Sequence, residues 1–150
     1  FGSIARWTDS LFGFGAIGEP AASPSPTGTQ EVTVEYIETL LPTVPDGFVM
    51  GEPEVFEDAE TGCIEYWVGY FNGDKMIAFS AVEQYDDAMS EYQKDDQDVK
   101  IVNIDGQAFY AFMNNGYASA AWRISALECY INTNLTLGEL IDIILISYEV

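Results

Sequence analysis

Residues 99–150 read VKIVNIDGQAFYAFMNNGYASAAWRISALECYINTNLTLGELIDIILISYEV. Tight-turn signals interrupt this stretch at Asp105-Gly106 and at Asn114-Asn115-Gly116. The runs between them are rich in β-branched, aromatic and small residues, which is typical of strands joined by short hairpins. The pattern predicts four antiparallel strands, at Val99–Ile104, Gln107–Met113, Ala118–Ser125 and Leu127–Asn132.

The end of the same stretch predicts a helix. Thr136 and Glu139 have the spacing of a capping box, in which each side chain binds the backbone N–H of the other residue. Apolar residues follow at the helical spacing that buries one stripe against a sheet: Leu137, Leu140, Ile141, Ile144, Leu145 and Tyr148.

The preceding residues continue the strand pattern. Alternate residues of Cys63–Phe71 fall on the two faces of a predicted strand, and Asn72-Gly73 is a strong hairpin signal that leads into Met76–Val82. Shorter strands are predicted at Phe48–Met50 and at Val55-Phe56. Glu31–Leu41 fits either a strand or a helix, and its length before Pro42 favours a helix. We therefore predict an α+β fold: a single curved antiparallel β-sheet meander of six or seven strands, with the C-terminal helix packed on one face and an N-terminal helix beside it.

Composition divides the chain into three parts. Residues 1–18 are rich in Gly and aromatics, and Ile4, Trp7, Leu11 and Phe14 form a short helical stripe. This part is predicted to pack on the domain or to lie near a membrane. Residues 19–29 form a Pro/Ser linker, and residues 30–150 form the single α+β domain. The polar stretch Gln84–Asp98 is predicted to be a long exposed connection.

The charge of the chain restricts its partners. It has 25 acidic and 5 basic residues, a formal net charge of −20. Such a surface repels nucleic acids, which are bound through clustered Lys and Arg, so we expect no nucleic acid partner. A basic protein or peptide is compatible with it, and solubility alone is the simpler explanation of the charge. The oligomeric state is not determined by the sequence.

Candidate catalytic and metal-binding residues are few. The chain contains no His, the commonest general base and metal ligand, so no enzyme activity, cofactor or metal is expected. Glu65, which sits in an apolar strand, is the candidate among the carboxylates, and a carboxylate-based hydrolase would require a second acid facing it across a cleft. The acidic residues between Asp86 and Asp98 lack the Gly and Glu positions of a calcium-binding loop.

Two other sets of residues are candidates for function. Cys63 and Cys129 either form a disulfide or remain two unpaired thiols. Aromatic side chains in the strands either line a ligand groove or form ordinary core pairs. The groove candidates are Tyr66, Trp67, Tyr70 and Trp122.

Several segments in a fixed order resemble one protein family. They are Pro45-Asp46-Gly47-Phe48, the run from Val102 to Tyr110, Ala121-Trp122, Cys129-Tyr130-Ile131 and the run from Leu135 to Ile141. From about Leu40 to Ser147 the chain is similar to the domain-of-unknown-function family 4367, which is common in Gram-positive bacteria.

The resemblance implies an extracytoplasmic domain, attached to the cell envelope by an anchor upstream of Phe1, in proteins similar to anti-sigma factors or their sensors. It implies no catalytic residues. The first hypothesis is therefore a non-enzymatic sensing or interaction domain of a membrane-attached protein, with a sigma-factor regulator as one version of it and a protein or peptide as its partner. The alternative is a carrier that holds an apolar ligand between sheet and helix.

Overall fold

A computed structural model describes residues 5–8, 10–14, 32–84, 90–124 and 126–149. The elements within these ranges, in chain order, are β1 (Ala5–Trp7), β2 (Leu11–Phe14), α1 (Val34–Glu38), β3 (Val49–Met50), β4 (Glu54–Glu57), β5 (Ile64–Asn72), β6 (Lys75–Glu83), β7 (Ser90–Gln93), β8 (Lys100–Ile104), β9 (Gln107–Asn114), β10 (Tyr117–Ile124), β11 (Leu127–Thr133) and α2 (Leu137–Tyr148).

The main sheet has eight antiparallel strands in the order β3-β5-β6-β11-β10-β9-β8, and β4 also pairs with β5. The predicted α+β class is confirmed, and so is the C-terminal helix. The sheet is not one simple meander, because the β5–β6 hairpin joins the β8–β11 meander through pairing of β6 with β11. β3 and β4 lie one after the other along the same edge of β5.

The predicted turns fix the register of the meander. Asp105 and Gly106 both have positive φ, 50° and 85°, and so do Asn115 and Gly116, 53° and 84°. Paired positive φ values are typical of the type I′ turns whose twist matches that of a two-stranded ribbon. Each turn therefore connects its strands through two residues, pairing Ile104 with Gln107 in one hairpin.

Helix α2 covers one face of the main sheet. Thr136 and Glu139 form the predicted capping box, and Leu140, Ile143 and Ile144 are buried. Phe109, Trp122 and Tyr148 form an aromatic group at this interface. The predicted N-terminal helix is present as the short α1, which begins after the N-cap Thr33. Within the described ranges, no helix is both long and apolar enough to cross a bilayer.

A second, three-stranded sheet of order β1-β2-β7 covers part of the opposite face, which we call the outer face. Phe12 and Phe14 of β2 are buried, and the ring of Phe12 stacks on that of Phe112 with centroids 4.8 Å apart. The helical stripe predicted for this region is wrong. Phe12 and Phe14 alternate with exposed or half-buried neighbours, so the two-residue period of a strand decides their burial.

The exposed connection predicted at Gln84–Asp98 is also wrong in part, because Ser90–Gln93 forms β7 and pairs with β2. Residues 85–89, the predicted linker at 19–29 and Ile4 of the predicted stripe lie outside the described residues.

Candidate functional site

Large apolar side chains are exposed where the three-stranded sheet does not cover the outer face. Val49, Phe56, Trp67 and Phe71 are 69%, 56%, 42% and 53% exposed. The register places all four on one side of the sheet, since Val49 pairs with Phe71 and Phe56 pairs with Glu65, two residues from Trp67. We call these four residues the open face. Several large apolar side chains exposed on one face are typical of an interaction surface.

The ring of Phe71 is fixed in place by two glycines. A Cβ atom added to Gly69 would lie 2.7 Å from Cζ of Phe71, and one added to Gly51 would lie 3.5 Å from its Cε2. The ring therefore lies directly on the backbone of β5 over Gly69, and a side chain at that position would displace it. An aromatic ring held in this way has few alternative rotamers to lose when a partner packs on it.

Carboxylates surround the open face. Glu54 pairs with Trp67 across the β4–β5 ladder, and Glu65 accepts a hydrogen bond from the indole N–H of Trp67. Asp58 accepts hydrogen bonds from the backbone N–H groups of Glu60 and Thr61, at 2.7 and 3.0 Å. These backbone donors lower the pKa of Asp58, so its carboxylate stays charged at neutral pH.

A cleft of about 410 Å³ opens beside Phe56, at the end of β4 and β5. Four acidic residues line it together with apolar and thiol groups: Phe56, Glu57, Asp58, Cys63, Glu65, Val82 and Glu83. Glu83 accepts a hydrogen bond from the backbone N–H of Ile64, 3.0 Å away. The cleft is therefore suited to a positively charged side chain that also has an apolar part.

Glu65 and Asp58 are the cleft carboxylates whose surroundings are best defined. Glu65 binds the Trp67 indole, and the lowered pKa of Asp58 is opposite to the raised pKa that a general acid requires. No group of three potential metal ligands occurs in the part of the chain that the structure describes.

The four aromatic residues predicted for one groove do not lie together. Tyr66, Tyr70 and Trp122 are 0%, 5% and 0% exposed and lie on the face that carries α1 and α2, where Tyr66 donates a hydrogen bond to Glu38 of α1, whereas Trp67 lies on the outer face. Side chains alternate between the two faces along β5, so Trp67 points away from Tyr66 and Tyr70. Tyr66, Tyr70 and Trp122 are core residues, which was the other alternative for these aromatic side chains. The open face joins Trp67 to Phe71, on the same side of β5, and adds Val49 and Phe56, which were not predicted. The sequence signal for this face is the two-residue period of β5, which places Trp67 and Phe71 on one side and Tyr66 and Tyr70 on the other.

The family model described as "Domain of unknown function (DUF4367)" matches residues 38–145. The chain belongs to this family. The match contains every strand of the main sheet and most of α2, and therefore the whole open face and the cleft, but neither β1 nor β2. No curated protein and no solved structure matches the chain.

Both cysteines of this DUF4367 domain are free thiols. Cys129 is buried in β11, where it pairs with Ala81 of β6, while Cys63 lies just before β5. Strand β6 runs between β5 and β11, so the structure has the alternative of two unpaired thiols and not the disulfide. Burial raises the pKa of the Cys129 thiol well above its usual range, which keeps it protonated and unreactive.

Alkaline pH should unfold the domain through its buried tyrosines. Burial, with Glu38 nearby, raises the pKa of Tyr66 to about 12, and burial also raises the pKa of Tyr148. Because the folded pKa values exceed the unfolded value near 10, stability is intact below about pH 10 and falls as the pH rises further. Phenolate absorbance and circular dichroism should change together in this range. A Tyr148→Phe variant should unfold at higher pH than the wild type, and an unchanged midpoint would contradict the assignment.

Proposed function

We propose that this domain is a non-enzymatic interaction domain that binds a protein or peptide partner through its open face. One observation supports this most directly: three aromatic rings and Val49 are exposed on one face of the main sheet, and a cleft opens beside Phe56. Trp and other aromatic residues dominate the binding energy of protein interfaces because they bury large areas with few rotatable bonds.

The charge around the open face favours a basic partner. Glu54, Glu57 and Asp58 lie at its rim, and the net charge of the chain is −20. A field of this sign accelerates association with positively charged partners and slows association with negative ones. A nucleic acid or an anionic membrane surface is therefore disfavoured as the ligand.

We further propose that the domain lies outside the cytoplasm, as the sensing part of a membrane-attached protein, and the family resemblance supports this. A sigma-factor regulator is the version of that function that the resemblance implies, with the signal passed through residues 19–29. The test is protease treatment of intact cells that make the full-length protein, with lysed cells as the control. Cleavage of the domain in intact cells is expected, and protection until lysis would contradict the proposed location.

Binding by the open face can be measured with displayed peptides. A library of random peptides is selected on the wild-type domain, and the selected peptides are titrated against Trp67→Ala and Phe71→Ala. We expect binding to weaken by about 10-fold or more in each, since loss of one anchor ring removes 1–2 kcal/mol or more. Ile146→Ala is the matched control, because Ile146 is 67% exposed but lies on α2. Peptides that bind all four proteins equally would show that the open face is not the binding surface.

A further inference from the structure

We propose that the partner binds as an added β-strand, pairing with the free edge of β4 and placing a Lys or Arg side chain in the cleft. This inference rests on the proposed function, and it specifies the backbone conformation and the charge of the bound segment.

Strand β4 lies at one edge of the main sheet. It pairs with β5, and no other strand pairs with it within the described ranges. All four of its residues, Glu54–Glu57, are exposed. Such an edge presents unpaired N–H and C=O groups to which another chain can add.

The register identifies which backbone groups are free. The N–H of Asp58 donates to the carbonyl of Cys63 at 2.9 Å, which continues the ladder that pairs Glu57 with Ile64. Hydrogen-bonding residues alternate along an antiparallel strand. The backbone N–H and C=O groups of Glu54 and Phe56 therefore point towards β5, as those of Asp58 do. The backbone groups of Val55 and Glu57 point towards the free edge.

The two edges of the main sheet carry different charges. β8, at the far edge, contains Lys100, and lysine on an edge strand discourages further pairing. β4 contains no Lys and carries Glu54 and Glu57 at its ends. These carboxylates oppose pairing with another acidic strand, and a second copy of this chain, itself at −20, is disfavoured for the same reason.

The side chains of β4 define the sequence of the bound strand. Phe56 extends the open face and would lie beside an apolar side chain of the partner, while Glu54 and Glu57 would lie beside basic ones. The cleft next to Phe56 is lined by four carboxylates and is large enough, at about 410 Å³, for a Lys or Arg side chain. The partner is therefore an extended segment with basic residues opposite Glu54 and Glu57, three positions apart, and an apolar residue opposite Phe56.

Val55→Pro is the decisive variant. Proline removes the outward N–H of residue 55 and leaves the β5 ladder intact, since proline is tolerated on an edge strand where its nitrogen faces solvent. Val55→Ala is the control for the side chain. Two displayed libraries are selected on the wild type: one has Lys or Arg at two positions three residues apart with an apolar residue between them, and the other has Glu or Asp at those two positions.

We expect binders from the basic library alone, weakened about 10-fold or more by Val55→Pro through loss of a backbone hydrogen bond, and little changed by Val55→Ala. Loss of binding in Trp67→Ala but not in Val55→Pro would overturn strand addition and leave the proposed function standing. Equal binding to all variants, or no binder from either library, would overturn both. If Val55→Pro does not fold, hydrogen exchange of the wild-type domain tests strand addition instead. The amides of Val55 and Glu57 must slow when a selected peptide is added, and unchanged exchange would overturn strand addition.

Discussion

Replacing Trp122 with Ala is expected to lower the free energy of unfolding by about 3–5 kcal/mol, the usual cost of truncating a large aromatic side chain in a core. Trp122 is 0% exposed, and its ring centroid lies 4.8 Å from that of Phe109 and 5.2 Å from that of Tyr148. It therefore fills the space between β10 and α2. Removing it leaves a cavity that these rings cannot close without moving the helix.

Two further variants separate packing from polarity at this site. The indole N–H of Trp122 is buried without a hydrogen-bond partner among the described residues. A buried unsatisfied donor is costly, so Trp122→Phe should lose well under half of what Trp122→Ala loses. Trp67→Ala is the surface control and should change stability by less than about 1 kcal/mol. Urea unfolding followed by circular dichroism measures all three. Equal losses of unfolding free energy in Trp122→Ala and Trp67→Ala would mean that packing of Trp122 does not stabilise the core.

The parts of the fold that follow from local rules were predictable. Asp105-Gly106 and Asn115-Gly116 have the positive φ values that their residue types favour. The two residues of a capping box are always three positions apart, as Thr136 and Glu139 are, so the start of α2 was evident from the sequence. These features depend on neighbours a few residues away, and the sequence lists such neighbours directly.

The outer layer depends on long-range pairing and was missed. Trp7, Leu11 and Phe14 have a spacing that fits a helix, but β2 pairs with β1 on one side and with Ser90–Gln93, more than seventy residues away, on the other. The open face was missed for a related reason. Trp67 was identified from its residue type, but whether an aromatic residue is core or surface depends on which sheet face the second layer covers, and that layer was not predicted.

Replacing Glu128 with Ala is expected to lower stability by about 3–5 kcal/mol, the usual result of removing one member of a buried ion pair. The Glu128 side chain is 2% exposed and lies 3.0 Å from Nε of Arg123, measured from its Oε1 atom. Its other oxygen accepts a hydrogen bond from the hydroxyl of Tyr92 in β7. In the variant, Nε of Arg123 and the hydroxyl of Tyr92 lose this acceptor beneath the outer layer.

The same substitution should loosen the three-stranded layer before it unfolds the main sheet. Tyr92 also stacks on Tyr130 with centroids 4.4 Å apart, so β7 contacts the main sheet largely through groups that adjoin Glu128. Hydrogen exchange should therefore accelerate more in β2 and β7 than in β9 and β10. Glu52→Ala, at an exposed carboxylate, is the matched control and should have little effect.

A double variant, Arg123→Met with Glu128→Leu, tests whether the charge itself is required. Apolar residues of similar volume often replace a buried ion pair at little cost, so the double variant should recover much of the stability lost in Glu128→Ala. Recovery would mean that the pair matters because each charge needs its partner, and that the layer is held mainly by the packing of Phe12, Phe14 and Phe112. A double variant as unstable as the single one would instead make the Tyr92 hydrogen bond the main connection between the two sheets.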